Sequence, residues 1–312
     1  MSYKKLVKEE LHAFDDQTEQ RIKHGFVPDL RRLKRVDWFY NNVWRDPEFV
    51  KIHWIPRISE IINQARNNGK KVLELGCGLG MISLELARNG LDVTGVDLSP
   101  KNIDVANEYK KKNTFKDNFG SLEYVCCDIN EMHFGKEGFD SVIFFRSLHH
   151  IPNWENLLEK VHGALKTGGK LILSEPVRSN FTIESAHFAA ILRTILPTWI
   201  NYKEKLIIDW NEEEWNKIVN DIFEEYVLDG EHQQSPMDNS IDDAQKIVIS
   251  IKKKFSVLEE KYSDAFIDKI IGGIRGDHKY EIARFLKFLD GHMVRNNILP
   301  PTSLELVAVK EE

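Results

Sequence analysis

The chain has 312 residues, 42% hydrophobic and 29% charged, with a formal net charge of -6 at pH 7 and a pI near 6.0. A chain of this length and composition is expected to be globular and to bury most of its apolar surface. The acidic balance argues against a nucleic-acid or membrane partner, and the sequence shows no membrane span or signal peptide. We expect a cytoplasmic protein.

Residues 1–70 precede the first predicted strand and are rich in aromatic side chains between positions 38 and 44. Asp46 followed by Pro47 is typical of a helix start, because aspartate caps free N–H groups and proline fits the first turn. Pro56 is expected to kink or divide the helix that follows. We expect an N-terminal helical lid. Tyr40, Trp44 and Arg45 are the candidates to close over a bound ligand, with packing in the core or lid as the alternative.

From residue 72 to residue 174, short apolar runs alternate with amphipathic segments, which predicts alternating strands and helices. This order is typical of an α/β fold with a doubly wound, mostly parallel sheet. Residues 166–169 are expected to end the last helix before the fifth strand. The predicted strands are 72–75, 91–96, 122–127, 141–145 and 170–174, and the predicted helices are 81–88, 101–111 and 154–165.

A glycine-rich turn follows the first predicted strand, in the order Glu74, Gly76, Cys77, Gly78 and Gly80. Glycine tolerates positive φ and lets the main chain approach a ligand, and the helix after the turn presents free N–H groups. The second strand delivers Asp97 about 20 residues after the first glycine, where a carboxylate can accept hydrogen bonds from ribose hydroxyls. The pattern predicts a ligand that contains a nucleoside.

The turn differs from a dinucleotide-binding turn, because its third glycine comes one residue early and an acid precedes the first glycine. A carboxylate at Glu74 would repel a diphosphate and attract a cationic sulfonium or ammonium group. These residues resemble the first motif of the class I S-adenosylmethionine-dependent methyltransferases of the small-molecule type. An NAD-dependent dehydrogenase is the alternative.

The resemblance implies S-adenosyl-L-methionine as the cofactor, and it implies a Rossmann-like sheet of seven strands with helical lid insertions. The residues of the turn would line the methionine part, and Asp97 would hold the ribose, with Leu98 beside it. Residues 126–129 resemble the third motif, in which Asp128 would accept from the adenine amino group and Ile129 would pack on the ring. Two residues after the fourth strand, Arg146 and Ser147, are also expected to contact the cofactor.

Two adjacent histidines, His149 and His150, follow the fourth predicted strand at the edge that faces the ligand. Methyl transfer depends mostly on orientation, but a base assists an alcohol nucleophile. These histidines are the leading candidates for that base, with a role in shaping the pocket as the alternative. Glu175, after the fifth strand, is expected to bind or deprotonate the substrate, with a helix cap or salt bridge as the alternative.

Residues 178–250 form a second predicted insertion, and residues 231–239 within it are polar enough to suit a hydroxyl-rich ligand. His232 is the candidate there, and an ordinary polar turn is the alternative. We expect no metal site, because adjacent histidines on extended chain point apart and no ligand spacing is present. The three cysteines, Cys77, Cys126 and Cys127, are expected to be reduced thiols.

Two more strands are predicted at residues 255–259 and 304–309, where the resemblance implies a terminal hairpin. The mostly helical pattern predicted for residues 261–295 leaves that pairing open. The chain is thus divided into a lid at 1–70, a cofactor-binding core at 71–177, a substrate-recognition insertion at 178–250 and the C-terminal part of the core at 251–312.

We expect a methyltransferase that acts on a small molecule or glycan, with O-methylation of a sugar or metabolite hydroxyl as the first hypothesis. The alternatives are N- or C-methylation of a metabolite and a non-catalytic cofactor-binding protein. A nucleic-acid methyltransferase is disfavoured, because the fourth strand is followed by Arg-Ser-Leu-His-His rather than Asn/Asp-Pro-Pro-Tyr/Phe. The sequence does not indicate an oligomeric state.

Overall fold

A computed structural model of the chain describes residues 2–37, 41–199, 210–238 and 244–312. The strands of these residues are β1 Lys71–Leu75, β2 Asp92–Asp97, β3 Leu122–Cys126, β4 Phe139–Phe145, β5 Leu165–Pro176, β6 Ser256–Ser263 and β7 Ser303–Val309. They form one sheet in the order β3-β2-β1-β4-β5-β7-β6. The first five strands are parallel, and β7 runs antiparallel to both β5 and β6. The predicted fold class is therefore confirmed.

The described α-helices are α1 Tyr3–Lys23, α2 Pro47–His53, α3 Ile55–Arg66, α4 Met81–Arg88, α5 Pro100–Lys111, α6 Trp154–Ala164, α7 Ile183–Ile195, α8 Glu212–Val227, α9 Ala244–Lys252 and α10 Lys279–Arg295. Helices cover both faces of the sheet, as the alternating pattern predicts. None of the described helices has the length and apolar character needed to cross a bilayer.

Alternating side chains of the strands supply two apolar cores, one on each face of the sheet. On β1, Val72 packs into the core that contains Ile58 of α3 and Leu84 of α4. Leu73 packs into the other core, which contains Leu157 of α6. The sheet is thereby covered on both faces, and its carboxyl edge is left for a ligand.

The N-terminal region begins its second helix where the sequence predicts it. The Asp46 side chain accepts a hydrogen bond from the main-chain N–H of Glu48 at 3.1 Å, and Pro47 occupies the first turn. The chain divides after His53, and Pro56 lies in the first turn of α3. The division predicted from Pro56 is confirmed. Proline has no main-chain N–H to donate to an interior helical hydrogen bond, so it is tolerated in the first turn of a new helix.

Two boundaries differ from prediction. Helix α6 ends at Ala164, and residues 166–169 belong to β5, where the register shifts against β4 and Gly168 has a φ of +76°. Strand β6 continues to Ser263, and α10 begins only at Lys279, so residues 261–278 are less helical than predicted. The pairing left open is settled, since β6 and β7 form an antiparallel pair.

Candidate active site

The carboxyl ends of β1 and β4 lie side by side at the point where the chain reverses its winding direction, which is where ligands of open α/β sheets bind. A cavity of about 830 Å³ lies there, within the usual size range of small-molecule sites. Its wall comes from the glycine turn, the ends of β2, β3 and β4, helix α1 and the second insertion.

The three glycines of the turn all have positive φ, but their surroundings differ. A Cβ on Gly76 would lie 2.4 Å from the Cβ of Ser147, and a Cβ on Gly80 would lie 2.4 Å from the hydroxyl oxygen of Tyr124. A Cβ on Gly78 would meet nothing within 4 Å. Gly78 therefore borders open cavity and permits close approach of a ligand, while Gly76 and Gly80 permit close packing of the chain around it.

The acids of the first two strands are buried at the floor of the cavity. Glu74 accepts a hydrogen bond from the Ser83 hydroxyl of α4, and burial raises the pKa of Glu74 to about 8. Asp97 accepts from the main-chain N–H of Gly78 at 2.7 Å and from the Asn102 side chain at 3.0 Å. Burial also raises the pKa of Asp97. Both acids line the cavity, where a cationic and hydroxyl-bearing ligand can reach them.

Helix α1 covers the side of the cavity next to β3. Tyr3 donates a hydrogen bond to the Asp128 carboxylate at 2.6 Å, and burial with this contact raises the pKa of the phenol. Thr18 donates to Asn102 on α5 at 2.5 Å. Asp128, Ile129 and Leu98 all line the cavity, so their predicted contacts with adenosine remain consistent with their position.

His149 and Glu175 form a buried pair at the ends of β4 and β5. The Nδ1 atom of His149 lies 2.6 Å from one carboxylate oxygen of Glu175. The other oxygen accepts from the main-chain N–H groups of Ser147 and Leu148, each at 2.8 Å, which stabilises the ionised form. His149 therefore donates from Nδ1, and its Nε2 atom carries the lone pair.

The surroundings of His149 keep its imidazole neutral. Burial lowers its pKa well below the ordinary value, and the charges of His150, Arg178 and Arg146 lower it further. A neutral imidazole on the cavity wall, with one nitrogen fixed by a carboxylate, is the arrangement of a general base.

His150 has a different set of contacts. Its Nδ1 atom lies 2.7 Å from the carboxylate of Glu10 on α1, and the Ser235 hydroxyl donates to the same carboxylate oxygen at 2.8 Å. The main-chain N–H of Met237 donates to the second oxygen at 3.1 Å. His150 and Glu10 thereby join the N-terminal lid to the second insertion. His150 also lines the cavity, so its role as a base stays a prediction.

The remaining predicted residues are placed as follows. His232 lines the cavity but is half-exposed and lies 3.2 Å from Asp221, so it stays a candidate for substrate contact. Ser147 donates its hydroxyl to the main-chain oxygen of Leu75 at 2.6 Å, and Arg146 and Cys77 line the cavity. Tyr40 lies outside the described residues.

Several cavity residues have no counterpart in the sequence prediction. Arg178 follows β5 by two positions and was within reach of the strand-end argument that identified Glu175. Asp268 and Lys269 lie in a short 3₁₀ segment, Ile267–Lys269, that has no recognisable motif. Glu10 reaches the cavity from α1, and Trp54 reaches it from the junction between α2 and α3, both in the region that the sequence predicted only as lid.

A further cluster of possible metal ligands lies beside the cavity within the described part of the chain. His53, Asp264 and Asp268 have side-chain atoms within 4.8 Å of one another. Asp264 pairs with Arg57 at 2.7 Å and with Lys287 at 2.6 Å. These cations already balance the charge of the carboxylates, so the group is best described as a buried ion-pair network.

The sheet order, the glycine turn and the acids at the ends of β1, β2 and β3 define a class I S-adenosylmethionine-dependent methyltransferase domain, whose cofactor is S-adenosyl-L-methionine. The residues fit this cofactor, because Gly78 leaves open space and two acids face the cavity. Residues 73–173 match a family model described as a methyltransferase domain.

Curated relatives carry the same kind of domain. A ubiquinone biosynthesis O-methyltransferase from Coxiella burnetii is 34% identical over 125 residues, which are 40% of this chain and 51% of the relative. A sterol 4-C-methyltransferase from Caenorhabditis elegans is 31% identical over 108 residues, which are 35% of this chain and 31% of the relative. The chain spans about half the length of the first of these relatives.

Among solved structures, phosphoethanolamine N-methyltransferase 2 of Haemonchus contortus in complex with S-adenosyl-L-methionine has a TM-score of 0.49 and 18% identity. The match covers 88% of this chain and 59% of that chain.

Proposed function

We propose that the chain transfers the methyl group of S-adenosylmethionine to a hydroxyl of a small molecule, with sugar and metabolite hydroxyls as the acceptors to test first. The observation that carries the proposal is His149, whose Nδ1 atom is held at 2.6 Å by Glu175 while the residue lines the cavity. The ubiquinone biosynthesis O-methyltransferases among the relatives support a small-molecule hydroxyl as the acceptor.

Bound cofactor supplies an electrophilic methyl group. The Nε2 atom of His149 would accept the proton of the acceptor hydroxyl. The acceptor oxygen would form its bond to the methyl carbon as the bond between that carbon and the cofactor sulfur breaks, which leaves S-adenosylhomocysteine. Burial raises the pKa of Glu175, and the main-chain N–H groups of Leu148 and Ser147 oppose that rise. Glu175 stabilises the imidazolium that results, because its carboxyl group is hydrogen-bonded to Nδ1. The lids over the cavity, joined by Glu10 and Ser235, exclude water from this step.

The test is a screen of methyl transfer from labelled cofactor to nucleotide sugars, phenols, hydroxy acids and amines, with products identified by mass spectrometry. For the acceptor that reacts, H149Q should lower the rate by about 10² to 10⁴ without changing the affinity for S-adenosylhomocysteine. H133Q is the matched control, because His133 is exposed and does not line the cavity.

Other outcomes assign other functions. Methyl gain on amines alone would replace O-methylation by N-methylation. Tight binding of S-adenosylhomocysteine with no methyl gain on any acceptor would instead indicate a non-catalytic cofactor-binding protein.

A further inference from the structure

The cavity has a cluster of basic side chains on the wall next to β4 and β5, formed by Arg146, Arg178 and Lys269. We propose that this basic cluster binds an oxyanion, a carboxylate or phosphate, of the methyl acceptor, so that the substrate is an acidic small molecule. The inference rests on the proposed function, which places the acceptor in this cavity.

Arg178 has polar contacts but forms no ion pair with a described carboxylate, although the charges of Asp238, Glu175 and Asp268 act on it from further away. Its Nη1 atom donates to the main-chain oxygen of Asp238 at 2.7 Å, and its Nη2 atom lies 3.5 Å from Nε2 of His149. In the described parts of the chain, no carboxylate oxygen lies within 4.0 Å of this guanidinium. Burial, together with the charge of Arg146, lowers the pKa of Arg178 to about 10. A half-buried cation in such surroundings is costly unless an anion joins it.

Arg146 is held under strain with its charge only partly balanced. Its φ is +53°, a left-handed conformation that is unfavourable for a residue with a Cβ. Its Nη1 atom is buried and has no hydrogen-bond partner among the described residues. The nearest carboxylate oxygen, on Asp268, lies 4.0 Å away, and the other oxygen of Asp268 is 2.6 Å from His53. The guanidinium also packs 5.2 Å from the centre of the Trp54 ring.

Lys269 adds a third positive charge. Within residues 2–37, 41–199, 210–238 and 244–312, its ammonium has no hydrogen bond or ion pair. Burial lowers its pKa, and the charges of Arg178 and Arg193 act in the same direction, while those of Glu225 and Asp268 oppose the shift. Arg193 differs, because it pairs with Glu225 at 2.6 Å and is therefore left out of the cluster.

Of the three cations, only Arg146 has a described carboxylate oxygen as near as 4.0 Å, so the basic cluster has donors left to bind an oxyanion. Guanidinium groups bind carboxylate and phosphate oxygens through paired hydrogen bonds, and an ammonium adds a point charge. The cluster is also next to the base, since Arg178 and Arg146 lower the pKa of His149. An anion bound there would oppose that effect and make Nε2 more basic, so recognition of an acidic substrate would also prepare proton transfer.

The test uses calorimetry on the full chain saturated with S-adenosylhomocysteine. One pair of probes is protocatechuate and its primary amide, and the other is phenyl phosphate and phenol, so that each arm compares an anion with a neutral molecule that has the same aromatic ring. At least one anion should bind about tenfold or more tightly than its neutral counterpart, the difference expected when charged hydrogen bonds form. The arm that shows the preference identifies carboxylate or phosphate.

The variants K269M and R178M should each reduce that preference. K217M should retain it, because Lys217 is an exposed lysine on α8 outside the cavity. The inference is overturned if neither anion binds better than its neutral counterpart, or if K269M and R178M keep the full preference. It is also overturned if these variants instead weaken the binding of S-adenosylhomocysteine, since the basic cluster would then bind the carboxylate of the cofactor's amino-acid part.

The outcome is distinct from that of the proposed function. Anion preference is measured by binding alone, so a chain that prefers anions but transfers no methyl group would retain the site and lose the proposed activity.

Discussion

Replacement of Glu175 by glutamine tests whether this carboxylate sets the tautomer of the proposed base. One oxygen of Glu175 accepts two main-chain N–H groups at 2.8 Å each, and the amide oxygen of glutamine can keep both contacts. The amide NH₂ then faces Nδ1 of His149, 2.6 Å away in the native pair, and must donate to it. Nδ1 becomes an acceptor, the proton moves to Nε2, and the base can no longer accept a proton from the substrate.

The size of the effect follows from what is lost and what is kept. General-base catalysis contributes about 10² to 10⁴ in rate, which is roughly 2.7 to 5.5 kcal/mol of barrier. Stability should change little, because both main-chain contacts survive and the side chain keeps its volume. E175Q should therefore lose nearly as much activity as H149Q, and the double variant should lose little more than either, because the two residues act as one unit.

The assay is single-turnover methyl transfer to the best acceptor, combined with S-adenosylhomocysteine affinity and thermal melting. D290N is the matched control, because Asp290 is another buried carboxylate that accepts three main-chain N–H groups, and it does not line the cavity. Activity of E175Q within about threefold of the native rate would refute the assignment of His149 as an oriented base.

Three further predictions follow from other side chains. Because burial and neighbouring charges lower the pKa of His149, kcat/KM for the acceptor, measured at saturating S-adenosylmethionine, should stay level down to about pH 6.5 and fall only at lower pH as the imidazole gains a proton. A fall in this kcat/KM centred at the ordinary histidine pKa would contradict the prediction. Because burial raises the pKa of Glu74 to about 8, this acid is mostly protonated at pH 7, so binding of the cationic cofactor should release a proton and tighten as the pH rises towards 8. Calorimetry in two buffers of different ionisation enthalpy should detect the released proton in the native chain and not in E74Q, and equal enthalpies in both buffers would refute the idea. Asp29 and Arg88 form a buried two-point ion pair at 2.7 and 2.8 Å, so D29N should lower the free energy of unfolding by about 3 to 5 kcal/mol in denaturant titrations, with E19Q on an exposed ion pair as the control. A change no larger than that of E19Q would mean that the buried pair does not stabilise the fold.

The sheet and its cofactor edge were predictable because each unit depends on residues a few positions apart. The apolar run before the turn requires burial on both faces, the turn requires glycine where φ is positive, and Asp97 comes at the end of the next strand. The turn from α6 into β5 was not predicted correctly, because Lys166 and the two glycines after it suit an irregular strand start as well as a helix end.

The pairing of His149 with Glu175 shows where sequence reasoning reached its limit at the site. Each residue was a candidate alone, since each follows a strand. Their contact depends on β4 and β5 being neighbours, with Phe145 in register with Ser174. The strand order of the family places β4 beside β5. That order, combined with the register of the two strands, would have predicted that His149 and Glu175 are in contact.

The basic cluster could not be predicted from the sequence, for a different reason. Arg178 follows a strand end, but Lys269 reaches the same cavity from a segment about 90 residues further along the chain, within the stretch predicted as mostly helical. No periodicity marks such a residue, because an isolated lysine in sequence is normally solvated. Its role becomes visible only in the tertiary structure, which places Lys269 half-buried beside other cations and, among the described residues, without an ion-pair partner.

Glu74 shows the same dependence on burial for a residue that the sequence did identify. The sequence argument treats it as a permanent negative charge that attracts a sulfonium and repels a diphosphate. In the folded chain, burial raises its pKa to about 8, so much of that charge is absent at pH 7 until a cation arrives. Discrimination then depends on the ligand's own charge: a cation draws the proton off and gains an ion pair, whereas a diphosphate meets a protonated acid and gains nothing from it. The preference for a cationic cofactor is retained, but it is expressed through the proton that binding releases.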